Sequence, residues 1–152
     1  MEVRTILWPT DLSKNSVKAA KHVQSLAEKY QAKVILLYVG TDLMSHFGAY
    51  GEPNKEHVEQ FQKWEMDHAR KKLEGVCDQE LKACPALDVR LVQGDPATEI
   101  LKIVKQEKAD MVVLTTHGRG AEEVDRASAE FGSVAKKVLA TSPVPVHLVK
   151  SV

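Results

Sequence analysis

Apolar residues recur along this chain with two alternating rhythms. Five short runs are continuously apolar or repeat every second residue: RTILW (4–8), KVILLYV (33–39), LDVRLVQ (87–93), MVVLT (111–115) and VPVHLVK (144–150). Each predicts a strand. Between them the spacing changes to that of a helix. Val17, Ala20, Val23, Ala27 and Tyr30 mark a helix over 13–30, with Ser13 placed to cap it. A second helix is predicted over 55–83 and is stopped by Pro85. A third spans 97–107, behind Asp95 as cap and Pro96 at the first helical position. A fourth covers 133–140.

Strict alternation of strand and helix predicts βαβ units and a parallel sheet. The second and fourth strands are almost unbroken apolar runs, as expected where helices cover both faces. The third strand alternates Leu87, Val89 and Leu91 with Asp88, Arg90 and Gln93, which suits an edge. Pro145 cannot donate to a ladder, so the fifth strand belongs at the other edge. The expected architecture is a single α/β domain over 1–152, with an open five-stranded parallel sheet in the order 3-2-1-4-5 and helices on both faces. That order reverses between strands 1 and 4. Open sheets of this kind take ligands beyond the carboxyl ends of their strands at the reversal. Two segments flank it, PTDLS after strand 1 and TTHGRGAEEVDRASAEFGS after strand 4. Residues 40–54 read as a mobile loop, a candidate lid or partner surface.

Composition removes several functions. Lysine plus arginine equals aspartate plus glutamate at 21 each, so no basic footprint for nucleic acid exists. No apolar run approaches the ~18 residues of a membrane helix, and MEVRTILWPTD has no signal-peptide character. A cytoplasmic protein is expected. Cys77 and Cys84, seven apart in the predicted helix, are expected to be free thiols, too distant along its axis for a disulfide.

The two flanking segments carry the candidate chemistry. Asp11 follows strand 1 directly, where its carboxylate can accept from an adenine amino group or a ribose hydroxyl. The alternative is that Asp11 or Ser13 caps the first helix. Gly118, Gly120 and Gly132 permit close backbone approach. Gly132-Ser133 opens the fourth helix, whose free N–H groups favour an anion. A capped helix behind a surface loop is the plainer reading. His117 either touches a phosphate or satisfies the loop backbone. His57, Phe61, Trp64 and His68 share a helix face, read as partly buried or as an interface rather than as a metal pair. The chain holds no P-loop and no nucleophile elbow around Ser128, so no catalytic set and no metal site is assigned.

ILWPTDLSKNSVKAAKHV, VQGDPATEILKIVKQEKADMVVLTTHGRG and FGSVAKKVLATSPVPVHLVK together resemble the universal stress protein family, in order and over nearly the whole chain. The resemblance implies a Rossmann-like, HUP-type fold and a stress-response role as a switch or sensor. It implies ATP or AMP as ligand, with Mg2+. It places adenine at Asp11 and the Val39 backbone, and phosphates and ribose at Gly118, Gly132 and Ser133. The implied nucleotide-binding set is Pro9, Thr10, Asp11, Val39, Thr115, His117, Gly118, Gly132, Ser133 and Val134. It also implies a homodimer paired through edge strand 144–150. The chain departs twice from the family's G-x2-G-x9-G-[ST] motif. Thr115 stands at the first glycine position. Thirteen residues, 119–131, separate Gly118 from Gly132, and four of them are acidic: Glu122, Glu123, Asp125 and Glu130. These departures keep open a dimeric interaction module of the same fold that binds an unidentified protein partner and needs no nucleotide.

Overall fold

The computed structural model describes residues 2–40, 55–82, 84–116 and 132–150. Within them the chain runs through β1 (Thr5–Thr10), α1 (Lys14–Val17), α2 (Ala20–Tyr30), β2 (Lys33–Gly40), α3 (Lys55–Glu80), β3 (Ala86–Gln93), α4 (Pro96–Gln106), β4 (Met111–Thr115), α5 (Ser133–Thr141) and β5 (Val146–Val149). The strands form one parallel sheet in the order β3-β2-β1-β4-β5, as the sequence predicts.

Side chains alternate across a strand, so each strand feeds two cores. Ile6, Trp8, Val34, Leu36, Val113 and Val149 meet Ala20, Val23 and Ala27 of α2 and Ala69 and Leu73 of α3 on one face. Leu7, Ile35, Leu37, Val112 and Leu114 meet Ala97, Ile100, Ile103 and Val104 of α4 and Val138 of α5 on the other. The unbroken apolar runs of β2 and β4 reflect this double cover.

The first predicted helix is divided. Ser13 caps α1 as expected, its side chain accepting from Ser16 N–H. The Ser16 hydroxyl then donates to Thr10 Oγ1 at 2.7 Å. This tie to β1 coincides with a tightened bond from Ala19 N–H to Ser16 O at 3.1 Å, and the helix restarts at Ala20. Tyr30 ends α2 exposed rather than packed. α3 also stops earlier than predicted, at Glu80, so Cys84 lies beyond the helix and the helical spacing argument does not apply to it. Both thiols are nonetheless free and half-buried. Burial raises both above the ordinary cysteine value, helped by Asp78 at Cys77 and by Glu28 at Cys84.

Both edges fall where they were expected, for reasons that differ. On β3, Leu87, Val89 and Leu91 pack inward while Asp88 meets Arg90 at 3.1 Å and Lys33 at 3.8 Å. Arg90 also reaches Glu107 at 2.9 Å. These half-exposed pairs contribute little stability, but charge on an edge strand discourages pairing with another chain. On β5, Val112 N–H donates to Pro145 O and Thr116 N–H to Val149 O, so alternate residues from Pro145 face β4. Pro145 has no N–H to return, and β5 begins at Val146 rather than 144. The main-chain groups of Val146 and Leu148 consequently point away from the sheet.

α4 begins as predicted. Asp95 Oδ2 accepts from Thr98 Oγ1 at 2.7 Å and from Thr98 N–H at 3.1 Å. The side-chain bond, then the backbone bond, holds the Asp95 carboxyl below its ordinary pKa. A depressed folded-state value stabilises above the unfolded value, about 3.9, and the contribution fades as pH falls through the folded value. Asp95→Ala is expected to cost about 1 kcal/mol in urea unfolding at neutral pH. The gap between the two proteins should narrow once the pH drops below the ordinary aspartate range.

Candidate functional site

The site is built at the carboxyl ends of β1 and β4, beyond the last pair that joins them. Arg4 O accepts from Lys33 N–H at the start of β2, whereas Thr5 O accepts from Asp110 N–H beside β4. Main-chain groups of alternate residues face the same neighbour, so Thr5, Leu7 and Pro9 face β4. Pro9 has no N–H to offer there. β1 accordingly pairs with β2 along its whole length but with β4 only at Ile6 and Leu7. Beyond Leu7 no ladder pair joins β1 to β4. A proline in a central strand usually argues against that position; here it ends the ladder on the side that faces β4.

The registers set the height of each candidate residue. Thr10 lies opposite Tyr38 and Leu7 opposite Val112. Continued along the strands, those offsets put Asp11, Val39 and Thr116 level with one another at the carboxyl edge. Val39 is half-buried and packs against the α4-side core. Gly132 N–H donates to Thr116 O at 2.8 Å, which fastens the start of α5 to the end of β4. Pro9, Thr10, Asp11, Val39, Thr115, Gly132, Ser133 and Val134 are thus gathered at one edge of the sheet. His117, Gly118 and the acidic stretch 119–131 lie outside the described residues, as does the loop 41–54.

The PTDLS turn is held from within. Thr10 Oγ1 accepts from Leu12 N–H at 3.0 Å, and Asp11 Oδ1 accepts from Ser13 N–H at 2.9 Å. Leu12 takes a left-handed backbone with φ 64°, an expense of roughly 1–2 kcal/mol that these bonds offset. The capping alternative for this loop is therefore met by Ser13, while Asp11 braces the turn and stays only half-buried.

Opposite it, α5 begins without a side-chain cap. Gly132 occupies the cap position at φ −59° and ψ 156°, and having no side chain it makes no side-chain cap bond to the first turn. An uncapped helix start presents several donors and the positive end of the helix dipole. Ser133 is exposed beside them, and Val134 anchors the turn in the α4-side core. Thr115 is half-buried, so a side chain stands where the family motif has glycine.

Two contributors were not legible beforehand. The Thr116 carbonyl acts through the main chain, which leaves no mark on residue type. Ser16 acts through its bond to Thr10, which only the fold brings near. Of the two readings of the α3 stripe, partly buried or interface, the first does not hold within the chain. Phe61 is 47% exposed and Trp64 60% exposed, while Val58, Ala69 and Leu73 form the buried face. Trp64 stacks on His68 with ring centroids 5.1 Å apart. Among the described residues no group of three or more His, Cys, Asp or Glu side chains is arranged for a metal ion. Nor is any described helix long and apolar enough to cross a membrane.

The same architecture recurs in proteins of known structure. Hypothetical protein MJ0577 superposes with a TM-score of 0.82 at 27% identity, covering 99% of this chain and 97% of the other. UspA from Lactobacillus plantarum gives 0.83 at 24% identity, covering 98% and 99%. More distant are a universal stress protein in complex with cAMP, at 20% identity and 0.63, and one from Archaeoglobus fulgidus in complex with dAMP, at 16% and 0.64. These last two cover 100% and 97% of this chain, and 100% and 98% of their own. In sequence, universal stress protein MJ0531 of Methanocaldococcus jannaschii is 32% identical over 148 residues, 97% of this chain and 82% of that protein. The model of the universal stress protein family matches residues 2–150. The chain belongs to the universal stress protein family.

Proposed function

We propose that this protein binds an adenine nucleotide, ATP or AMP, at the carboxyl edge between β1 and β4, and that occupancy acts as a stress-response switch. The observation that supports it most is the start of α5, whose cap residue Gly132 has no side chain and is tied to Thr116 O, level with Asp11 at the same edge of the sheet. The half-buried Asp11 carboxylate suits an adenine amino group or a ribose hydroxyl, and the Val39 main chain suits the base edge. The first N–H groups of α5 and the Ser133 hydroxyl suit phosphate oxygens. Mg2+ would offset phosphate charge. The cAMP and dAMP complexes of two distant neighbours are consistent with this ligand class.

Titration of the purified chain with ATP and Mg2+ by calorimetry tests the reading. A saturable heat is expected, together with nucleotide in the acid-released supernatant. No saturable binding at millimolar ATP overturns it. The interaction-module reading then stands in its place, and the side chain of Thr115 at the motif's glycine position favours it. In either reading we infer a homodimer through β5, because the outward main-chain groups of Val146 and Leu148 match a two-fold antiparallel partner.

A further inference from the structure

We propose that His22 and His147 form a binding site for a divalent transition-metal ion such as zinc, away from the nucleotide cleft. His22 is exposed on α2, and His147 is half-buried on β5, facing the α2 side of the sheet. Their ring centroids are 6.1 Å apart with planes inclined by 46°. Among the described residues no hydrogen bond or ion pair holds either ring.

The distance decides what this pair can do. A ring nitrogen lies about 1.2 Å from its ring centre, and a zinc–nitrogen bond is ~2.0–2.1 Å. Two imidazoles sharing one ion therefore have centres roughly 5.2 Å apart at the tetrahedral angle and about 6.4 Å apart when opposed. The observed separation lies inside that range. The Trp64–His68 pair is a useful contrast. Its rings lie 5.1 Å apart and only 9° from parallel, and the Trp64 indole nitrogen is a donor with no lone pair to give, so His68 alone could ligate there. The exposed His22 side chain is also free to turn a nitrogen toward His147. Neutral imidazole is the commonest ligand for this class of cation, and water completes a coordination shell that has two protein donors. A bound ion would join α2 to the edge strand.

The test is calorimetric titration of the untagged full chain with zinc chloride in a non-chelating buffer. One saturable event is expected, weakened by about tenfold or more in His22→Ala and in His147→Ala. It should be unchanged when His57 and His68 are both replaced by alanine. Because His147 is half-buried, proton–carbon spectra of the unaltered chain supply a second measurement: zinc should shift the imidazole signals of His22 and His147 together. Absence of saturable zinc binding, full affinity in His22→Ala, or shifts confined to other histidines would each overturn the site.

Discussion

Gly132→Asp is expected to abolish useful nucleotide affinity while leaving the protein as stable as before, or slightly more so. The two effects have opposite signs and one cause. Gly132 has φ −59°, a conformation open to any residue, so the new side chain meets no backbone strain. Aspartate is a preferred helix cap and complements the dipole, which together should add about 0.5–1 kcal/mol to stability. The same carboxylate would occupy the first-turn donors and set a negative charge against the phosphates. At ~4 Å and an effective dielectric near 20, that repulsion approaches 4 kcal/mol before salt screening. A net loss of roughly 30- to 1,000-fold in affinity follows from ~2–4 kcal/mol. Urea unfolding and an ATP titration on the same preparation measure both. A variant that folds normally and binds ATP like the parent would place the phosphates elsewhere.

The largest stability effect is expected at Trp8. The side chain is fully buried in the α2–α3 core, and among the described residues its indole Nε1–H finds no acceptor. Trp8→Ala should cost about 3–5 kcal/mol, a large share of the ~5–15 kcal/mol that stabilises a domain. Trp8→Phe should behave differently. It sacrifices some apolar contact but also removes a donor whose unsatisfied burial costs about 1–3 kcal/mol. The phenylalanine protein should therefore unfold within about 1.5 kcal/mol of the parent. If phenylalanine proves as damaging as alanine, the indole N–H has a partner in solution.

The strands and their order could be read from the sequence because burial on two faces leaves a direct mark, an unbroken apolar run. The edges were legible because Asp88 and Arg90 interrupt such a run on β3. What escaped were features set by contacts between distant segments. The division between α1 and α2 accompanies one hydroxyl pair, Thr10 and Ser16, which spacing alone does not bring together. On α3 two stripes compete for the core. Val58, Ala69 and Leu73 are the residues that pack, and the aromatic stripe is left on the exposed side of the helix. Pro9 is the clearest case. Residue type reports a missing donor, but only the strand register reports that the gap faces β4. For the candidate site, a general rule for open sheets pointed to Asp11 and Gly132 and the family resemblance to Val39, and the fold brings all three to one edge of the sheet. The main-chain bond from Gly132 to Thr116, which fixes the helix against the strand, was invisible in the side-chain alphabet.

The two margins of the sheet are unlike. One carries the Asp88–Arg90–Glu107 charges, and the other is a strand of four residues with the main-chain groups of Val146 and Leu148 turned away from the sheet. Lateral growth needs two adhesive borders per molecule, and this one has a single candidate. A copy that docks there hides the open border of both partners and leaves charge outermost. Assembly by strand addition should then close at a pair and not run on into a fibre.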